Sequence, residues 1–210
     1  VLKLERPTAD STYIPMELKI TRGTIRTNPV PYYGMVDKNI GYIAISTFAI
    51  EGCSKDIKKA LIELKQQGAT SIVLDLRGNG GGLLSEAVNV VNFFVPKGKE
   101  IVVTKGKIKQ AGSTYKTSNE PIDMEIPLTV LVDGATASAA EIVSGSLQDL
   151  DRAVIVGNRT YGKGLVQVPR ELPYNSSMKV TTAKYYIPSG RCIQAIDYAK
   201  RNADGSVARI

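Results

Sequence analysis

Three short segments of the sequence combine glycine with residues that could do chemistry. They are residues 75–82 (DLRGNGGG), 133–141 (DGATASAAE) and 157–164 (GNRTYGKG). The chain contains no histidine, which excludes Ser-His-Asp catalysis, Cys-His catalysis and histidine metal sites within it. An activated serine would therefore need another base, and a lysine can serve when its amine is neutral.

Ser138 and Lys163 are the candidates for such a pair. Ser138 lies among small residues at the predicted start of a helix, where backbone amides and the helix dipole favour a developing negative charge. Lys163 follows across one predicted helix and one strand, a path that can return the chain to the serine. Gln167 could hold the amine by hydrogen bonding, because residues 163 and 167 of an extended chain share a side. A simpler interpretation remains, in which Thr136 or Ser138 only caps the helix and Lys163 lies in a surface turn.

The glycine segments match nucleotide-binding motifs only in part. Counted from Gly78, the dinucleotide pattern Gly-x-Gly-x-x-Gly requires a glycine where Leu83 stands. Residues 157–164 have the Gly-x4-Gly-Lys spacing of a phosphate loop, but Gly164 replaces the magnesium-binding Ser or Thr. Pro169 also disfavours the helix that should follow such a loop. The first glycine segment is better suited to an oxyanion-binding loop, or it is only a tight turn.

Alternating strands and helices place these segments at strand ends. Strands are predicted at 40–48, 71–76, 128–132, 153–156 and 179–187, with an extended segment after Gly164. Helices are predicted at 54–67 (capped by Ser54), 83–94 and 137–150. Repeated strand–helix units predict an α/β fold with a mostly parallel sheet. Residues 1–24 have the pattern of two strands, and Pro29 and Pro31 favour a domain boundary near residue 25.

Composition narrows the class of protein. The 210-residue chain is 43% hydrophobic, which excludes global disorder, and no run of about 18 apolar residues indicates a membrane span. Much of the net charge of +7 lies in a predicted strand, turn and strand, at Lys97, Lys99, Lys105, Lys107, Lys109 and Lys116. Only Tyr115 interleaves there, so a solvated hairpin is favoured over a nucleic-acid site. Cys53 and Cys192 form no zinc-finger framework, and Cys53 has the pattern of a small core residue.

Five stretches resemble, in order and spacing, the C-terminal processing protease family, also called tail-specific proteases. They are IGYIAISTF (40–48), VLDLRGNGGGLL (73–84), LVDGATASAAEIVSGSLQD (131–149), AVIVGNRTYGKGLVQ (153–167) and TTAKYYIPSGRCIQ (181–194). The resemblance implies a crotonase/Clp-protease-like α/β core of repeated strand–strand–helix units at residues 25–210. It also implies that residues 1–24 are the terminal strands of a truncated PDZ domain.

The resemblance assigns roles to individual residues. In the family a serine and a lysine form the catalytic dyad and a glutamine assists the lysine. The matching positions make Ser138 the nucleophile, Lys163 the base and Gln167 the amide that orients it. The oxyanion hole would use backbone amides of Ala139 and of the glycine loop, with Gly81 favoured over Gly82.

The function implied is a serine endopeptidase that cleaves proteins near unstructured C-terminal tails through an acyl-enzyme. Its expected partners are extended C-terminal tails, without nucleic acid, and homo-oligomerisation is open. No metal or organic cofactor is expected, and family members usually work in the periplasm or cell envelope. Two other interpretations stay open: a catalytically silent peptide-binding module on the same scaffold, and an acyl-CoA enzyme of the crotonase type.

Overall fold

The computed structural model describes residues 1–23, 25, 27–108, 110 and 112–209. Helices within these residues are α1 (Cys53–Gln66), α2 (Leu84–Asn92) and α3 (Ala139–Asp149). The strands before α3 are β1 (Leu2–Pro7), β2 (Tyr13–Leu18), β3 (Tyr32–Asp37), β4 (Ile40–Ala44), β5 (Ser71–Asp75), β6 (Glu100–Lys105), β7 (Ser113–Lys116) and β8 (Leu128–Val132). Those after it are β9 (Val154–Gly157), β10 (Leu165–Leu172), β11 (Ser176–Tyr186), β12 (Ile196–Arg201) and β13 (Val207–Arg209).

A five-stranded sheet in the order β3-β4-β5-β8-β9 forms the centre of the fold. β4, β5, β8 and β9 are parallel, and β3 pairs antiparallel with β4. Leu74 of β5 and Val130 of β8 are fully buried, while the alternate residues Val73 and Thr129 are only partly buried. The prediction of an α/β fold with a mostly parallel sheet is confirmed.

Each of the three helices buries apolar side chains. In α1 these are Cys53, Ile57, Ala60, Leu61 and Leu64, all fully buried. α1 packs against β3, β4 and α2, while α2 packs against α3, and α3 also contacts β6 and β9. α2 and α3 are a residue or two shorter at their ends than predicted.

The predicted cap of α1 is wrong. Ser54 lies inside the helix, and Gly52 precedes it in the left-handed region with φ 81°. The backbone amides of Gly52 and Ser54 donate instead to the carboxylate of Glu86, at 2.9 and 2.8 Å. A side chain of α2 therefore satisfies the N-terminus of α1, and no local sequence pattern reveals that pairing.

A second sheet, antiparallel in the order β10-β11-β6-β7, was only partly predicted. The extended segment after Gly164 and the strand at 179–187 are confirmed as the hairpin of β10 and β11. Their pairing with the hairpin of β6 and β7 joins segments far apart in sequence, where strand patterns give no partner. β3 had not been predicted, nor had β12 and β13, which form a two-stranded sheet.

The first two strands also form a separate two-stranded sheet, in agreement with the strand pattern of residues 1–24. Their assignment to a PDZ domain stays a prediction, as does the crotonase-like character of the core. Thr24 and Arg26, beside the predicted boundary at residue 25, lie outside the described residues, as do Lys109, Ala111 and Ile210. No helix of the described part of the chain is long and apolar enough to cross a membrane.

Candidate active site

Three loops meet at the carboxyl edge of the five-stranded sheet. The glycine loop (residues 78–82) follows β5, the serine loop (133–138) follows β8 and the lysine loop (158–164) follows β9. Because β5, β8 and β9 are parallel neighbours, their carboxyl ends lie side by side. This edge is where open α/β sheets commonly bind ligands. The structure thus brings together the three segments that the sequence singled out.

Hydrogen bonds join the glycine loop to the serine loop. The Asp133 carboxylate accepts the Gly78 backbone amide at 3.0 Å, and the Asn79 carbonyl accepts the Ala137 amide at 2.9 Å. The bond from Gly78 is the main reason that the pKa of Asp133 lies below its ordinary value. The two loops are therefore held in one relative position before any ligand arrives.

Ser138 occupies an unusual backbone conformation at the junction between the serine loop and α3. Its φ of 57° and ψ of −118° are rarely adopted by a residue other than glycine. Such conformations cost on the order of 1–3 kcal/mol and concentrate at functional sites. The residue is half-buried, and the following amide, of Ala139, meets no acceptor among the described residues. A serine hydroxyl thus lies beside an unpaired amide at a helix N-terminus.

Gly81 packs directly on the serine segment. A β-carbon added to it would lie 2.8 Å from Cβ of Ser138 and 2.9 Å from N of Ala139, and its φ is +94°. Its own amide donates to Oδ1 of the fully buried Asn79 at 2.9 Å. The Gly82 amide, in contrast, has no acceptor within the described part of the chain. Of the two glycines expected in the oxyanion hole, Gly82 is the one whose amide is unpaired.

The glycines on both sides of Lys163 are explained by packing. A β-carbon on Gly162 would lie 2.1 Å from Cβ of Ala195, and one on Gly164 would lie 2.3 Å from N of Gln194. The Gly164 amide also donates to Oε1 of the buried Gln194 at 2.8 Å. Residues 194–195 therefore support the lysine loop, a role for which the sequence had given no signal.

Within the described residues, no hydrogen bond joins the side chains of the expected triad. Lys163 is exposed, and within the described residues no hydrogen bond links its Nζ to Ser138 or Gln167. The Gln167 amide instead donates to Oγ1 of Thr181, its partner in the β10–β11 pair, at a long 3.4 Å. Ser138 and Lys163 thus meet through their backbone amides at Glu141, while no hydrogen bond joins the side chains of Ser138, Lys163 and Gln167.

Glu141 was quoted in the sequence motif without a role, yet it joins the serine and lysine loops. Its Oε1 accepts the Gly162 amide at 2.6 Å, and its Oε2 accepts the amides of Ser138 and Lys163 at 2.7 and 2.8 Å. The spacing Ser-x-x-Glu is that of a capping box, the one sequence signal that pointed to this residue. That signal accounts for the Ser138 bond and not for the other two.

The described residues include no group of three or more Cys, Asp or Glu side chains that could hold a metal ion. This edge offers the half-buried hydroxyl of Ser138, the amides of Gly82 and Ala139, which have no acceptor among the described residues, and Lys163 on the neighbouring loop. A hydroxyl beside unpaired amides can attack a carbonyl carbon while the amides stabilise the oxyanion. Fold and loops together define an α/β domain whose site is suited to acyl transfer.

Comparison with known proteins identifies the family. The model of peptidase family S41 matches residues 39–199, and the chain belongs to that family. The carboxy-terminal-processing protease of Bartonella bacilliformis is 39% identical over 188 residues, which cover 87% of this chain and 42% of that protein. The carboxyl-terminal-processing protease of Picosynechococcus is 41% identical over 174 residues, 81% of this chain and 41% of that protein. The predicted family is thereby confirmed.

Solved structures agree with this assignment. The photosystem II D1 C-terminal processing protease superposes with a TM-score of 0.72 at 33% identity, covering 92% of this chain and 53% of that one. An S41 protease structure from Bacteroides fragilis shares the fold at a TM-score of 0.68 and 19% identity. The chain spans less than half the length of the two curated relatives that it matches.

Proposed function

We propose that this chain is the catalytic core of a serine endopeptidase that cleaves proteins at or near unstructured C-terminal tails. The observation that carries the proposal is the meeting of Ser138 and Lys163 at one carboxylate oxygen. Their backbone amides both donate to Oε2 of Glu141, although the two residues come from different loops. Membership of peptidase family S41 and the names of its carboxyl-terminal-processing relatives support the reaction and the tail specificity.

In the proposed mechanism the neutral amine of Lys163 takes the proton from the Ser138 hydroxyl. The Ser138 Oγ attacks the scissile carbonyl carbon, and the amides of Ala139 and Gly82 stabilise the oxyanion, each by about 2.7–4 kcal/mol. Collapse of the tetrahedral intermediate breaks the C–N bond, and Lys163 returns the proton to the leaving amine. Water then hydrolyses the acyl-enzyme and restores the serine.

For this chemistry the side chain of Lys163 must turn toward Ser138. Its backbone amide shares Oε2 of Glu141 with the amide of Ser138. A lysine side chain is a flexible four-carbon stem, so rotation about its bonds can carry the amine toward Ser138. Gln167 would exchange its long bond to Thr181 for a bond to the amine. Neither change requires the hydrogen bonds between the loops to break.

An extended substrate tail would add to the sheet as a further strand. β9 is an edge strand of the five-stranded sheet and leads directly into the lysine loop. Val154 and Val156 of β9 are 64% and 47% exposed, which leaves apolar side chains for a substrate to cover. The periplasmic or envelope location and homo-oligomerisation stay predictions.

The test is covalent labelling with a fluorophosphonate at pH 8, read by intact mass. We expect one adduct on the parent chain and none on Ser138→Ala or Lys163→Ala. Lys58→Ala is the matched control, because it removes an exposed lysine of α1 far from the three loops. Labelling that survives in Ser138→Ala would show that another residue is the nucleophile.

The absence of hydrogen bonds among the triad side chains in the described residues favours one second candidate, a catalytically silent module that binds extended peptides. In that case the parent chain takes no label, yet a fluorescent tail peptide binds with equal affinity to the parent and to Ser138→Ala. An adduct on the parent that depends on both Ser138 and Lys163 would eliminate this candidate.

A further inference from the structure

We propose that Glu141 is a positioning residue. Its carboxylate binds the backbone amides of the nucleophile Ser138 and the base Lys163 and so fixes their relative position. The inference rests on the proposed function, since it assigns Glu141 to the same site. The carboxylate of Glu141 has no hydrogen bond to Ser138 Oγ or Lys163 Nζ among the described residues. It acts on the amides of these residues, and so fixes the points from which both side chains extend.

The geometry leaves both carboxylate oxygens fully used. Glu141 is 4% exposed, its Oε1 accepts one amide and its Oε2 accepts two, at 2.6 to 2.8 Å. Bonds from amides to a carboxylate are shorter and stronger than bonds between neutral groups. Three such bonds converge on one side chain in the first turn of α3, where the helix dipole also favours a negative charge.

Only a carboxylate of this length satisfies all three donors. A glutamine has one oxygen, so its NH2 group would face either the Gly162 amide or the pair from Ser138 and Lys163, donor against donor. An aspartate keeps the charge, but its side chain is one methylene shorter. Each substitution therefore releases at least one loop from the other.

Helix capping alone does not explain this arrangement. A capping box needs two bonds, one from the Ser138 amide to the Glu141 carboxylate and one from the Glu141 amide to the Ser138 hydroxyl. The amides of Gly162 and Lys163 lie 21 and 22 residues away in sequence, on a different loop. Besides capping the helix, the Glu141 side chain therefore connects two loops that approach each other only after folding.

Glu86 provides a matched control within the same protein. It is the third residue of α2, as Glu141 is of α3, and it is 5% exposed. Its carboxylate also accepts two backbone amides from another segment, those of Gly52 and Ser54. These bonds hold the start of α1 and involve none of the three loops. Glu86→Gln therefore imposes a comparable loss of buried hydrogen bonds away from the site.

The experiment compares Glu141→Gln, Glu86→Gln and the parent chain by fluorophosphonate labelling and by amide hydrogen exchange. A displacement of about 1 Å in a reacting group can cost on the order of 100-fold in rate. We expect Glu141→Gln to lower the limiting labelling rate by that order, with half-saturation by the reagent little changed. Exchange at residues 162 and 163 should become faster in this variant only. Glu86→Gln should show faster exchange at residues 52–54 and label like the parent.

The two readouts separate this inference from the proposed function. If the parent takes no label, the peptidase proposal fails, and exchange at residues 162 and 163 still tests the link made by Glu141. If the parent labels and a folded Glu141→Gln labels at the same rate with unchanged exchange, the positioning role is overturned alone. Should Glu141→Gln not fold, Glu141→Asp is measured in the same way, with the same result required.

Discussion

Gly81→Ala tests whether the glycine loop sets the position of the nucleophile. The substitution adds one carbon at the closest approach of the glycine loop to Ser138. That carbon would lie 2.7 Å from the Ala137 carbonyl oxygen, 2.8 Å from Cβ of Ser138 and 2.9 Å from N of Ala139. Backbone atoms supply two of these three contacts, so rotation of a side chain cannot relieve them.

The expected magnitude follows from these distances. Ordinary van der Waals contact begins at 3.4 Å, so the serine segment must move away from the added carbon. Restoring ordinary contact with Cβ of Ser138 needs a shift of the serine segment by roughly 0.6 Å. A displacement of about 1 Å at a reacting group can cost on the order of 100-fold in rate, so we expect the labelling rate to fall by roughly 10- to 100-fold. A left-handed alanine adds a stability cost of about 1–2 kcal/mol. In a domain of this size that corresponds to a fall in Tm of roughly 2–8 °C.

Two glycines of the same loop separate the contact from the backbone strain. Gly78 has a φ of +72° but nothing within 4 Å of an added carbon, and Gly80 has neither feature. Gly78→Ala should lose stability as Gly81→Ala does but keep the labelling rate, and Gly80→Ala should keep both. The assay is the limiting rate of fluorophosphonate labelling, with Tm measured on the same samples. A Gly81→Ala variant that labels as fast as Gly78→Ala would refute the contact argument.

Two further predictions concern the reactivity of the two thiols and the loss of stability at low pH. Burial raises the pKa of Cys53 to about 12, so a thiol reagent at pH 8 should modify only the exposed Cys192 in the native chain and both cysteines after denaturation. Two modified thiols in the native chain would contradict the burial of Cys53. Burial also raises the pKa of Asp75, but the hydrogen bonds from Arg77 and Tyr42 outweigh it and leave the pKa below the ordinary 3.8. This carboxylate therefore stabilises the fold above that value and ceases to do so as pH falls through its lower native pKa. Asp75→Asn should lower Tm near neutral pH and flatten its decline in acid; an unchanged slope would count against this role.

The elements around the site could be predicted because their signals are local. The apolar stripe of α1 and the buried runs of β5 and β8 follow directly from hydrophobic periodicity. The position of Ser138 at a strand-to-helix junction followed from the same pattern, and so did the order of the three loops. Once β5, β8 and β9 are parallel neighbours, the loops after them must meet at one edge.

Contacts between segments distant in sequence could not be predicted in this way. The antiparallel sheet joins β11 to β6, and periodicity does not identify a strand's partner. Nothing local in the sequence indicated that the glycines beside Lys163 accommodate Ala195 and Gln194. The resemblance favoured Gly81 over Gly82 as an oxyanion donor. Nothing local in the sequence indicated that Asn79 Oδ1 accepts a hydrogen bond from the Gly81 amide.

The two buried glutamates show how such distant contacts fix the site. Glu86 and Glu141 each lie in the first turn of a helix that follows a glycine-bearing or small-residue loop, and each accepts amides from a segment elsewhere in the chain. Amides left unpaired in a buried position cost on the order of 1–3 kcal/mol each, so these carboxylates are needed once the segments have come together. In one case the result is a capped helix, and in the other it is a serine and a lysine held at the same oxygen atom. A buried glutamate that accepts distant backbone amides therefore stabilises the start of α1 in one case and sets the geometry of the candidate site in the other.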